Sequence, residues 1–323
     1  MNTSLVRKRQ LTVKKQNFVQ IQNLFLSLAY GFFIVASLQL QYSLGSGDIN
    51  AYIHFFDEAG NDASTITIQG DYAFRIAVFG LTEYFQKTTI TILSTMAFVI
   101  STITFYIYSA KVRSEKYLIY ILPLFLMVFF SPIVQVLFSS GIRSGIAFTI
   151  LMFALVYTRG LVKYLLFLTS SAIHLSMLPI LSLYILFFIL NNNRFKAPFI
   201  LSLFILLSGA FSIALGASLV HVETTVSSSV AYNLLIFYVA LLIMFVNKKA
   251  LKDLYGFLAV GLILIYLSGL LIDSSFIRYV GNAIILYTFF LINKGEADTI
   301  QVFTVGYAPF FALTLFYSIT NWL

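Results

Sequence analysis

Arg143, in the run SSGIRSGIA, and Arg278, in DSSFIRY, are the residues whose placement most demands a chemical reason. Each falls where the apolar pattern opens a helix, and Asp273, Ser274 and Ser275 are candidate N-caps for the second. The start of a helix is its positive end, so a cation there is disfavoured by a few tenths to about 1 kcal/mol. An anion between the guanidinium and the free helix amides removes the conflict. Arginine grips phosphate oxygens bidentately, and the first-turn amides add donors. The pattern points to a diphosphate site built from Arg143 and Arg278, with Arg75 as a candidate third member. The structural alternative for each arginine is snorkelling to lipid headgroups, or pairing with Asp48, Asp71 or Asp273.

His174, in SSAIHLSMLP, is the one histidine inside an apolar stretch. A neutral imidazole there can take the proton of an attacking hydroxyl, a step worth about 10²–10⁴ in rate. It can equally be a hydrogen-bonded residue that holds a broken helix together. Asp48, in GSGDINAYIHFF, has the same double reading. Its carboxylate is a candidate base or ligand for sugar hydroxyls, with Tyr52 on the same helix face four residues on, or it is an N-cap after Gly47. Asp71 divides in the same way between sugar binding and capping. His54 and His221 read as loop residues. The chain has no cysteine, which excludes disulfides and thiolate sites, and no His or carboxylate spacing suits a metal. No cofactor is expected.

These residues must be positioned by a membrane-embedded scaffold. Sixty percent of the 323 residues are hydrophobic and ten percent are charged. A soluble domain carries roughly 25% charged residues. The expected fold is all-α, a polytopic integral membrane bundle of about ten or eleven spans. Spans are expected near 23–40, 88–110, 117–138, 141–158, 197–220, 230–246, 254–272, 276–292 and 299–320. Residues 1–22 read as a cytoplasmic segment, with no cleavable signal peptide, and 23–323 as one transmembrane domain with an outer loop at 41–87. Within that loop DYAFRIAVFGLTEYF suits an amphipathic interfacial helix. The stretch 164–190 is too long for one crossing and carries Pro179, so a pair of short helices or a re-entrant hairpin is expected, with His174 near its turn.

Basic residues set the orientation. With the N-terminus inside, sixteen of the twenty lysines and arginines fall on the cytoplasmic side. Arg75, Lys87, Arg143 and Arg278 are the exceptions. All three histidines and eight of the twelve acids then fall outside or near the outer leaflet. The net charge of +8 is thereby explained by topology, and a nucleic-acid partner is excluded.

Four motifs in order give a resemblance: GDINAY after the first span, IRSGIA opening the fourth, AIHLSML in the broken stretch, and the pair Arg278–Tyr279. Together they resemble the EpsG-type bacterial polysaccharide polymerases, relatives of the Wzy O-antigen polymerases. Ser144 stands where the family usually has Gln, and Ile173 and Met177 where it usually has Phe and Ala. The resemblance implies a metal-independent glycosyltransferase at the outer face of the bacterial inner membrane. It would transfer a growing glycan from undecaprenyl diphosphate to the non-reducing end of another lipid-linked repeat unit. It implies donor-diphosphate binding at Arg143 and Arg278, and acceptor activation by His174 or else Asp48. Implied partners are the lipid-linked glycan, membrane lipid, and the chain-length co-polymerase and flippase of the same pathway. Two other classes fit the same residues: a flippase for lipid-linked oligosaccharide, and a membrane sugar O-acyltransferase. A flippase moves the unit without lengthening it, and an acyltransferase adds acyl groups at constant chain length.

Overall fold

Apolar runs this long must satisfy their backbone internally, and helices do so within one segment. The structure, a computed structural model, is helical with short breaks and has no strand among the residues it describes: 3–45, 49, 52–53, 72–111, 118–139, 141–192, 230–269, 278–294 and 296–322. The helices are α1 (Thr3–Ser43), α2 (Tyr72–Phe85), α3 (Thr89–Ser109), α4 (Leu118–Phe129), α5 (Pro132–Phe138), α6 (Ile142–Tyr157), α7 (Gly160–Ile173), α8 (Leu178–Asn192), α9 (Val230–Val246), α10 (Leu254–Gly269), α11 (Arg278–Lys294) and α12 (Ala297–Trp322). Short 3-10 turns lie at Leu175–Met177 and Lys248–Lys252.

Three segments among the described residues are long and apolar enough to cross a membrane: Gln20–Ser43, Thr89–Ser109 and Ala297–Phe316. The pair Tyr120–Phe129 and Pro132–Phe138 makes a fourth if taken as one bent span, with an angle of 58°. The remaining apolar helices are shorter, at 10–17 residues. The protein is a helical membrane protein. The expected span at 197–220 lies outside the described residues.

The chain falls into two compact units, 1–113 with 138–169, and 114–137 with 170–323. In the first, α1 packs along α3, and α3 along α6. Close approach of α1 and α3 depends on Gly31, because a Cβ there would strike Thr102 Oγ1 and the Phe98 ring. Membrane helices lack a hydrophobic drive to associate, so small residues and polar pairs supply the adhesion. Thr104 and Thr149 share a hydrogen bond of 2.7 Å between α3 and α6. Gln39 donates to Ser94 Oγ at 2.8 Å between α1 and α3. The run DYAFRIAVFGLTEYF forms a helix, α2, with Phe74 and Val78 buried and Ile76, Tyr84 and Phe85 exposed.

The second unit is built around α11, whose residues 279–291 are all buried. It packs on α10 and on α4. Aromatic rings tie its neighbours together. Tyr287 lies 4.9 Å from Phe303, Tyr255 lies 4.5 Å from Phe289, and Phe187 lies 5.3 Å from Phe257.

Candidate functional site

In the first unit, α6 starts at Ile142, so Arg143 occupies its first turn as expected from sequence. Gly141 at the N-cap has no side chain to bond the leading amides, and the first turn contains no acid. Arg143 Nε donates to the Tyr52 hydroxyl at 2.7 Å. The guanidinium carbon is 5.0 Å from the Tyr52 ring centroid, which puts the cation toward the hydroxyl end of the ring. The Tyr52 ring in turn leans on Phe74 of α2, with centroids 5.8 Å apart. The Tyr52 hydroxyl therefore helps to orient the arginine. Tyr52 was read from sequence as a sugar contact alongside Asp48. Its hold on Arg143, 91 residues away, carries no local signal.

Gln41 Nε2 donates to Ser139 Oγ at 3.1 Å, with both residues buried. Ile49 is fully buried. Asp48 and Asp71 lie outside the described residues. Arg75 falls early in α2, and its side chain is likewise outside them.

The stretch 164–190 is broken, as its length and Pro179 require, and the break itself belongs to the second unit. Residue α7 ends at Ile173, and its 14 residues span about 21 Å, short of a membrane core of about 30 Å. His174 is extended, with φ −151° and ψ 114°. Its amide still bonds Ser170 O at 3.1 Å, and its carbonyl accepts from the Met177 amide at 3.0 Å, opening the 3-10 turn. Pro179 explains the place of the break. A proline has no N–H to offer the carbonyl four residues back, and its ring clashes with it; that residue here is Leu175.

The break is polar and buried. His174 is 6% exposed, and Ser170, Ser171 and Ser176 are buried with it. Many helical hydroxyls among the described residues turn back to a carbonyl one turn earlier. Thr169 bonds Leu165 O at 2.9 Å, and Thr149 bonds Gly145 O at 2.8 Å. Ser171 Oγ and Ser176 Oγ do not, and neither has a hydrogen-bond partner. Buried hydroxyls are nearly always bonded, so this pair, three residues before and two after His174 in the chain, marks a place that can accept polar atoms from a ligand or water. Both serines stand in the run SSAIHLSMLP, which by itself assigns neither of them a role. Only the orphaned oxygens single the two out.

Arg278 is the first residue of α11, again at a helix start with no acid in its first turn, and its side chain lies outside the described residues. Asp273, Ser274, Ser275, His54 and His221 also lie outside them. Among the described residues no three His, Asp or Glu side chains come together in a metal-sized group. No family model, no curated protein and no solved structure matches this chain.

Proposed function

We propose that the protein is a membrane glycosyltransferase of the EpsG and Wzy type, which polymerises undecaprenyl-diphosphate-linked repeat units at the outer face of a bacterial inner membrane. The observation that carries this reading is the buried break at His174, with the unpartnered hydroxyls of Ser171 and Ser176 beside it. A lipid-facing bundle has no use for such a group of polar atoms unless something polar enters it.

On this reading the acceptor sugar hydroxyl attacks the anomeric carbon of the donor glycan. The new bond joins that carbon to the acceptor oxygen, and the bond from it to the diphosphate oxygen breaks. The hydroxyl proton passes to the acceptor nitrogen of His174, or else to Asp48, and undecaprenyl diphosphate leaves. Positive charge aimed at the leaving diphosphate lowers the barrier, since it acts where negative charge develops. Arg143 and Arg278 are the residues assigned that task, with Arg75 as the third. The start of α6 supports the choice of Arg143. Arg143 belongs to the first turn, Gly141 gives that turn no side-chain cap, and the Tyr52 hydroxyl accepts from Nε.

The test is direct. Purified protein is supplied with undecaprenyl-diphosphate-linked repeat units and no metal. Longer lipid-linked chains are expected, resolved as a ladder. Arg143→Ala is expected to abolish the ladder while folded protein remains in the membrane. A ladder unchanged by Arg143→Ala removes the diphosphate role. Movement across a bilayer without lengthening would make the protein a flippase, and added acyl groups at constant length would make it an acyltransferase.

A further inference from the structure

Two polar side chains on α11, buried Thr288 and exposed Asn293, close onto their own helix. Thr288 Oγ1 bonds Ile284 O at 2.8 Å, and Asn293 Nδ2 bonds Phe289 O at 2.8 Å. Asn282 does neither. It is 0% exposed, and neither its Nδ2 nor its Oδ1 has a partner. A carboxamide brings two donors and a two-lone-pair acceptor, and leaving all of them unmet in an apolar interior is rare.

A second orphan belongs to the same unit. Helix α4 ends and α5 begins across Phe130–Ser131, because Pro132 cannot supply an amide and disfavours helical geometry at Ser131. The carbonyl of Phe130 takes the Gln135 side-chain amide at 2.7 Å instead. Ser131 Oγ, fully buried, takes nothing. Asn282 and Ser131 flank one close contact. Gly281 lies so near α5 that a Cβ on it would stand 3.3 Å from Ile133 O. By helical register Arg278 is one turn before Asn282 on the same face of α11.

We infer that Asn282 binds a vicinal diol of a sugar ring, with one hydroxyl donating to Oδ1 and its neighbour accepting from Nδ2. The inference rests on the glycan-polymerase reading and adds to it a sugar-binding residue on α11. Other chemistries meet the amide less well. An acyl chain offers no partner at all. A fully ionised phosphate only accepts, and leaves Oδ1 unmet. A buried water satisfies both atoms without any ligand, and the experiment separates that case.

The probe is undecaprenyl-diphosphate-linked repeat units extracted from host cells lacking this protein. They are used intact, or after periodate has split the carbon–carbon bond of each vicinal diol into two aldehydes. Full-length protein and Asn282→Leu are compared for binding, chain lengthening and melting temperature. Asn282→Leu is expected to bind intact units about 10-fold more weakly or worse, which is the scale of one lost polar pair. It should melt no lower than the native protein, and periodate-treated units should bind both proteins equally weakly. Binding of intact units within about twofold of the native protein overturns the inference, as does a deficit equal for intact and cleaved units. A lowered melting temperature also overturns it, because Asn282 would then hold a structural water or hydrogen bond. In each of those cases continued lengthening by the native protein leaves the polymerase reading standing. Failure of the native protein to bind or lengthen the units overturns that reading and the inference with it. Should Asn282→Leu not fold, Asn282→Gln displaces the same groups by one methylene and is held to the same comparison.

Discussion

The two units differ in degree in how they treat buried polar groups. In the first, polar side chains far apart in sequence pair with one another, although Thr102 Oγ1 is left without a partner. Thr104 bonds Thr149, Gln41 bonds Ser139, and Arg143 bonds Tyr52. In the second, Ser131, Ser171, Ser176 and Asn282 are buried with polar atoms that bond nothing. A paired group holds helices together, and its loss costs stability. An orphaned group costs stability by being there, so its persistence asks for another reason. The first unit thus reads as scaffold around one oriented arginine. The second reads as the place where a polar ligand is received.

The strongest way to break this contrast is at His174. If the break receives an acceptor hydroxyl, His174→Ala is expected to slow chain lengthening by about 100-fold or more, the scale of a lost general base. Folded protein should still reach the membrane, as gel filtration of the purified variant would show. Lengthening within a few-fold of the native rate would return His174 to a purely structural role.

Next in size is the pair of orphaned hydroxyls. The double variant Ser171→Ala with Ser176→Ala should reduce lengthening by about 10-fold, since two ligand hydrogen bonds are lost. Its melting temperature should hold or rise, because no protein hydrogen bond is removed. A clear fall would show that these hydroxyls are structural after all.

A smaller effect of the opposite kind is expected in the first unit. Thr149→Val keeps the shape and deletes the bridge to Thr104, which should lower stability by about 1 kcal/mol. Activity per folded molecule should not change. Thermal unfolding in detergent, set beside the serine variants, turns the contrast between the units into two curves moving in different directions.

The smallest effect is at the surface. Lys249 Nζ donates to Glu296 Oε1 at 2.6 Å, between side chains about 70% exposed. That hydrogen bond, with the lysine charge behind it, holds the Glu296 carboxyl below its usual value. A depressed carboxylate contributes above its ordinary pKa, and the contribution is lost as pH falls through the lower folded value. Water screens so exposed a pair, so Glu296→Gln should leave the melting temperature unchanged at neutral pH.

Much of the scaffold was readable before any coordinates. The helical class follows from apolar runs that a bilayer tolerates only as closed hydrogen-bonded segments. The first-turn position of Arg143 follows from Gly141 before it and apolar periodicity after it. Pro179 announces the break at His174, because the clash acts four residues back along the same chain. The helix α2 was legible in the mixed run from Tyr72 to Phe85. The bend at Phe130–Ser131 was not anticipated, although Pro132 stands beside it; the run 117–138 was read as one uninterrupted span.

What the sequence determined by itself is local: where helices start, where prolines interrupt them, and which stretches prefer lipid. Each depends on covalent geometry and on side chains a few residues apart. Only the tertiary structure decided that Tyr52 holds Arg143 across 91 residues, and that Gly31 lets α1 meet α3. It alone leaves Asn282 without a partner on the most buried helix. Hydrogen bonding is satisfied or denied by atoms in space, and two serines of the same helix, one bonded and one not, look identical as letters.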